Sequence, residues 1–156
     1  MMSTVKKVRG FTLIEILVVI GLIAILAAIV LIAINPGRQF AQARNSQRES
    51  NINTILNALG QFTADNKGLT ISTTNCTSLG TAPTTTAAYI GTAATVNLSC
   101  LVPTYIASSI PFDPSNGNSN NTQYTIALDS AGRYTICAPG HAEVAIASSS
   151  AYCLTR

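Results

Sequence analysis

The hydrophobic and polar positions of this chain fall into three regimes. From Phe11 to Ile34 almost every position is apolar, interrupted mainly by Glu15 and Gly21. Roughly 24 residues at 1.5 Å each make a helix of about 36 Å, enough to cross a ~30 Å hydrocarbon core. From Arg38 onward the pattern becomes amphipathic. Ile52, Ile55, Leu56, Leu59 and Phe62 recur at helical spacing, while Arg44, Arg48, Glu49 and Asn53 fall mostly off that stripe. Asn66-Lys67-Gly68 supplies a helix C-cap. Pro36, in Asn35-Pro36-Gly37, removes a backbone donor and crowds the preceding turn. The pattern therefore predicts one long helix from Phe11 to about Asn66, bent at Pro36.

Beyond Leu69 the helical period is lost. Residues 69–97 are dominated by Thr, Ser, Asn, Ala and Gly and read as a weakly structured loop, closed at its base by Cys76 and Cys100. Gln123 to Leu128 reads as a strand, 129–132 as a turn, and Arg133 to Cys137 as the returning strand of a hairpin. Residues 142–146 alternate and suggest a third strand, and 151–154 ends the chain. The expected fold class is α+β: a long N-terminal helix, membrane-spanning in its first half, packed through Ile55, Leu59 and Phe62 on a small antiparallel sheet of three or four strands.

Composition sharpens this picture. Charged residues make up 10% of the 156 residues, well below the ~25% usual for soluble proteins. The formal charge is +3, yet Lys6, Lys7 and Arg9 cluster ahead of the apolar run. From Phe11 on, Arg38, Arg44, Arg48, Lys67, Arg133 and Arg156 balance Glu15, Glu49, Asp65, Asp113, Asp129 and Glu143. No basic patch points to nucleic acid as the main partner. The basic leader orients the N-terminal end to the cytoplasm and the rest of the chain outward. A secretory signal peptide is the competing reading, but its apolar region would span only about 7–15 residues.

The cysteines, Cys76, Cys100, Cys137 and Cys153, then all lie on the outer side. An even count in an exported small domain reads as disulfides. Neighbourhood in sequence suggests Cys76 with Cys100 and Cys137 with Cys153, although 4 cysteines allow about 3 connectivities. The chain has no CxxC spacing and a single histidine, which argues against zinc.

Glu15 carries the chemistry of the N-terminal run. An acidic side chain deep in a bilayer costs about 2.5–3.5 kcal/mol on insertion scales, so it calls for a partner. If the chain is cut after Gly10, Phe11 becomes a free amine one helical turn from Glu15, and amine and carboxylate of two staggered helices can meet at one depth.

Gly10-Phe11-Thr12-Leu13-Ile14-Glu15, behind a short basic leader and ahead of an apolar helix, resembles the processing site of type IV pilins and the related pseudopilins. The resemblance covers about the first 40 residues, and the rest agrees in layout. It implies a leader of residues 1–10, a transmembrane and filament-core helix of residues 11–34, and an exported globular domain of residues 35–156. It further implies that a prepilin peptidase cuts between Gly10 and Phe11 and methylates the Phe11 amine. The subunit would wait in the membrane lipid until inner-membrane assembly machinery draws it into an extracellular filament. There Glu15 would pair with the Phe11 amine of a neighbouring pilin subunit. The same implications cover a pseudopilin of a type II secretion or competence system.

Other groups are less specific. His141 stands alone and reads as a surface or turn residue. Asn75, Asn97 and Asn120 head N-glycosylation sequons that polar loops often contain by chance. The oxygen-rich stretch from Asp113 to Asn118 vaguely resembles the calcium loop of major pseudopilins, and calcium favours such hard ligands. Few carboxylates stand nearby, so a plain polar turn competes with calcium, and no other cofactor is expected. The chain has no GxSxG, phosphate-binding glycine loop or paired histidines, which points away from an enzyme. A monomeric membrane-anchored adhesin or binding domain is the rival from a different functional class.

Overall fold

The computed structural model describes residues 10–156; the leader residues Lys6, Lys7 and Arg9 lie outside the described part. The chain divides into two compact units, with the boundary between Pro36 and Gly37.

The first unit is helix α1, Leu13–Ala33. It starts two residues later than the apolar run, because Thr12 is its N-cap, in an extended conformation with its hydroxyl accepting from the Glu15 amide. Its large apolar side chains from Leu13 to Leu31 are exposed. The segment Leu13–Leu31 is long and apolar enough to cross a membrane.

The expected single bent helix is instead two helices. Ile34 is extended (φ −92°, ψ 118°), although its amide still donates to the Val30 carbonyl. The residue before a proline avoids the helical region, so Asn35 cannot readily carry the helix through. Helix α2, Pro36–Asp65, then starts at the proline itself. At that position a missing N–H costs nothing and the fixed φ suits the first turn. The C-terminal end closes as the sequence suggests. Lys67 (φ 59°) and Gly68 (φ 84°) are left-handed, the Gly68 amide donates to Thr63 and the Lys67 amide to Ala64. This is a Schellman closure, which returns partners to otherwise orphaned carbonyls.

The second unit packs α2 on a four-stranded antiparallel sheet in the order β1-β2-β3-β4. The strands are β1 Ala88–Tyr89, β2 Thr125–Leu128, β3 Tyr134–Ala138 and β4 Tyr152–Thr155. The α+β class is thus realised. Ile126 pairs with Ile136 across β2 and β3, and Ile136 with Leu154 across β3 and β4. Ile126, Tyr134, Ile136 and Ala138 alternate inward and meet Ile52, Ile55, Leu56, Leu59 and Phe62 of α2 in one core. Between β2 and β3 the Asp129 carboxylate accepts from the Ala131 and Arg133 amides, and Gly132 takes the left-handed conformation (φ 79°) that the turn requires.

Two expectations need correction. The stretch 69–97 is packed rather than loose: Ile71, Cys76, Leu79, Ile90 and Val96 all join the core, and β1 lies within it. A low density of apolar residues concealed this, because the core takes only a few spaced ones, while Leu69 and Tyr89 stay exposed. Residues 142–146 form turns, not a strand. Their alternation does not place a face on the core; Val144 is fully exposed and Glu143 is drawn toward α2 by arginines.

Candidate functional site: the N-terminal segment and a buried ionic clasp

Gly10 and Phe11 precede α1 as exposed, non-helical residues, with Phe11 85% exposed. A peptide bond between two such residues is accessible to another protein. Glu15 occupies the third helical position, and its Oε2 accepts from the Thr12 amide at 2.9 Å and from the Thr12 hydroxyl at 2.9 Å. The Glu15 amide donates back to Thr12 Oγ1 at 3.3 Å. Together these bonds form a capping box, which satisfies amides at the start of the helix that have no intrahelical partner. Thr12-x-x-Glu15 ahead of an apolar run is the sequence signature of that motif; the charge reading of Glu15 passed over it. Among the described residues Oε1 of Glu15 makes no hydrogen bond, so the carboxylate holds its own helix with one oxygen and leaves the other available.

In the globular unit the structure joins Cys76 to Cys100 and Cys137 to Cys153. The first ties the start of the 69–97 stretch to the Ser99–Leu101 turn. The second links β3 to β4 at directly opposed positions.

The largest polar feature is centred on Arg48. The amphipathic pattern put Arg48 off the buried stripe, but it is only 2% exposed. Its Nε donates to Asp113 Oδ2 at 2.6 Å and its Nη2 to Asp113 Oδ1 at 3.1 Å, and Nη2 also reaches Ser115 Oγ. Its Nη1 donates to Asn45 Oδ1 at 2.8 Å and to Glu143 Oε1 at 2.6 Å. Arg44 adds a two-bond contact to Glu143, at 2.7 and 2.8 Å. All of this joins α2 to the 113–122 loop and to the segment after β3. A buried charge survives only when paired and hydrogen-bonded, and here every guanidinium nitrogen has an acceptor.

The signal for Arg48 was present in the chain. Stepping back from Phe62 in alternating threes and fours gives Leu59, Ile55, Ile52, Arg48, Asn45 and Ala41, all buried. The stripe continues through polar residues, which an apolar search stops short of.

This arrangement fixes the electrostatics. The hydrogen bonds from Arg44, and then those from Arg48, hold the Glu143 carboxyl down at about 2. For Asp113, burial pushes upward, but the hydrogen bond from Arg48 and the amide of Ser115 outweigh it and keep the carboxyl below its ordinary value. The calcium expectation at Asp113 therefore meets a guanidinium bound to both carboxylate oxygens. Among the described residues there is no group of three or more His, Cys, Asp or Glu side chains that could hold a metal. His141 sits in the short turn Pro139–His141, with Nε2 3.2 Å from Glu49 Oε1 and Nδ1 2.9 Å from the Ser150 carbonyl. These contacts fasten the turn to Glu49 of α2 and to the Ser150 carbonyl.

A family model described as the prokaryotic N-terminal methylation motif matches residues 5–31. Neither the curated proteins nor the solved structures include a match to the chain.

Proposed function

We propose that this chain is a structural subunit, not an enzyme, of a type IV pilus or a related filament. The match of residues 5–31 to the N-terminal methylation motif carries this reading. Within the matched residues, the exposed apolar helix, long enough to cross a membrane, supports it. In this reading a prepilin peptidase cuts between Gly10 and Phe11 and methylates the new amine. The subunit stays anchored by α1 until assembly replaces lipid with neighbouring α1 helices. Gly21, Ala24, Ala27 and Ala28 permit close helix approach. The Phe11 ammonium of one subunit pairs with Glu15 of another. Glu15 can accept it through Oε1 while Oε2 keeps the Thr12 cap, so helix integrity and subunit pairing need not compete. The disulfides and the Arg48 clasp keep the exported domain folded while the helix is drawn out.

The test is the intact mass and N-terminal peptide of protein sheared from the cell surface. A chain beginning at methylated Phe11 with all cysteines oxidised is the expected result. Protein that is cut but stays in the membrane fraction would assign it instead to a pseudopilus or to a minor subunit. An uncut chain would overturn the proposal and leave an anchored binding domain.

A further inference from the structure

Asn116 and Gly117 form the single Asn-Gly pair in the chain. They follow Asp113 in the 113–122 loop, and Asn116 is exposed. Asparagine is among the thermolabile side chains that heat-stable proteins reduce. In the reaction responsible, the backbone nitrogen of the next residue attacks the side-chain carbonyl carbon. Glycine hinders that attack least, because it has no Cβ.

The fold requires glycine at 117. A Cβ there would collide with the Asp113 backbone nitrogen and stand 2.8 Å from the Thr122 carbonyl oxygen and 2.9 Å from that of Asp113. Close packing thus demands the very neighbour that makes Asn116 reactive. The same packing restrains the reaction. The Gly117 amide donates to the Asp113 carbonyl at 3.0 Å. To attack, this nitrogen must give up its proton, and an anionic nitrogen facing a carbonyl oxygen is repelled. Asp113 is itself fastened at both ends. Its amide donates to the Thr122 carbonyl at 2.9 Å. Its carboxylate accepts from the Arg48 guanidinium and, at 2.8 Å, from the Ser115 amide. The restraint on Gly117 therefore leads back, through one residue, to the buried ion pair.

We propose that Asn116 is a latent modification site, kept intact by the Arg48–Asp113 pair and converted to aspartate or isoaspartate when that pair opens. In the first step a bond forms between the Gly117 nitrogen and Asn116 Cγ while the Cγ–Nδ2 bond breaks. The Gly117 amide proton leaves with Nδ2 as ammonia, and a succinimide ring remains. Water then opens the ring. Cleavage of the new bond at Cγ gives aspartate, and cleavage at the backbone carbonyl carbon gives isoaspartate. No group is oxidised or reduced. Isoaspartate adds a carbon to the backbone inside the Asp113–Gly117 turn, so the turn cannot reclose in its original form. Opening of the clasp is thereby recorded covalently. The proposal concerns the globular unit alone and stands apart from the filament reading.

The test follows the full-length protein in detergent micelles, held in mildly alkaline buffer. Peptide mass spectrometry reads the unit mass gain at Asn116, and an isoaspartate-specific methyltransferase reads the isomer. Conversion in the native protein should be at least about tenfold slower than in urea-unfolded protein, since it waits on local opening. Two variants weaken the pair from either side. Arg48→Lys keeps the charge but cannot reproduce the two-bond contact. Asp113→Asn keeps an acceptor oxygen and leaves Glu143 to neutralise Arg48. Both should convert faster than the wild type, with far-UV circular dichroism unchanged. Native conversion as fast as unfolded overturns the proposal. A folded variant that converts at the wild-type rate also overturns it, because the restraint then lies elsewhere in the loop. If neither variant folds, wild-type protein at rising urea decides. Conversion that starts before global unfolding supports local opening at the pair, and conversion that starts only with it overturns the pair's role.

Discussion

Arg48 and Asp113, 65 residues apart in the chain, close a two-bond ion pair at 2.6 and 3.1 Å in which neither side chain is more than 2% exposed. Glu143 arrives on the same guanidinium from 95 residues away. One side chain of α2 thereby fixes two long connections, each of which leads to or from a strand. Other bonds also hold these connections, among them Thr92 to Ser119 and Asn45 to the His141 carbonyl, but among the described residues only Arg48 ties the two together through one buried group.

Removing one side of this pair leaves the other charge buried. Arg48→Met is expected to destabilise the domain by about 3–5 kcal/mol. Arg48→Met combined with Asp113→Leu should cost less than the sum of the two single changes, because no orphaned carboxylate remains at position 113. Denaturant unfolding of the four proteins in a double-mutant cycle measures this. Strictly additive costs would show that the pair is not energetically coupled.

The acid response follows from Glu143. Its carboxyl is held down at about 2, against an ordinary value of 4.5. A carboxyl depressed by folding contributes its full stability above the unfolded value and loses it as pH falls toward the folded one. Domain stability should therefore fall between about pH 4.5 and pH 2. Glu143→Gln should be less stable at neutral pH and have a flatter profile across that window. Melting temperatures recorded through the range check this; parallel profiles for the two proteins would exclude Glu143 as a source of the acid sensitivity.

Gly140 lies beside the clasp. A Cβ there would stand 2.7 Å from Asp113 Oδ2 and 3.4 Å from two nitrogens of Arg48. The carboxylate cannot give way without breaking its bonds to Arg48. Gly140→Ala should cost about 1–3 kcal/mol through overpacking, measured as a lower denaturation midpoint. An unchanged midpoint would mean that the turn Pro139–His141 moves freely.

The disulfides should contribute through loop closure. Cys76 and Cys100 are separated by 24 residues and Cys137 and Cys153 by 16. In the chain-entropy model loops of this length are each worth about 3 kcal/mol. Replacing either pair with serines should lower stability by roughly 2–4 kcal/mol, with the longer loop slightly the more costly. Peptide mapping under non-reducing conditions checks the pairing itself.

At the N-terminus, Glu15→Ala is expected to abolish filament assembly while the processed subunit persists in the membrane. Thr12→Ala should weaken the helix start by about 1 kcal/mol yet still permit assembly, since it leaves the carboxylate in place. Electron microscopy of sheared fractions with immunoblots of membranes separates the two effects. Normal filaments from Glu15→Ala would remove the charge-pair role.

Much of this molecule could be read along the chain, because its strongest signals are local. An apolar run from Phe11 to Ile34 makes a helix that water cannot solvate favourably. Thr12-x-x-Glu15 caps it, Pro36 marks where it is disturbed, though as a break between two helices rather than the expected bend, and Asn66-Lys67-Gly68 ends the next one. The spacing from Ile52 to Phe62 marks the packed face of α2, and the residues either side of 129–132 make a hairpin. Each is a matter of period or of turn chemistry over a few residues. The tertiary structure alone decided that Arg48 lies inside, that Asp113 is bound to a guanidinium, that 142–146 turns outward rather than pairing, and that Ile71, Leu79 and Ile90 join the core. These outcomes depend on partners tens of residues away and on the cost of taking a charge out of water. That cost is offset only once the distant carboxylates are in place, and no local pattern records it.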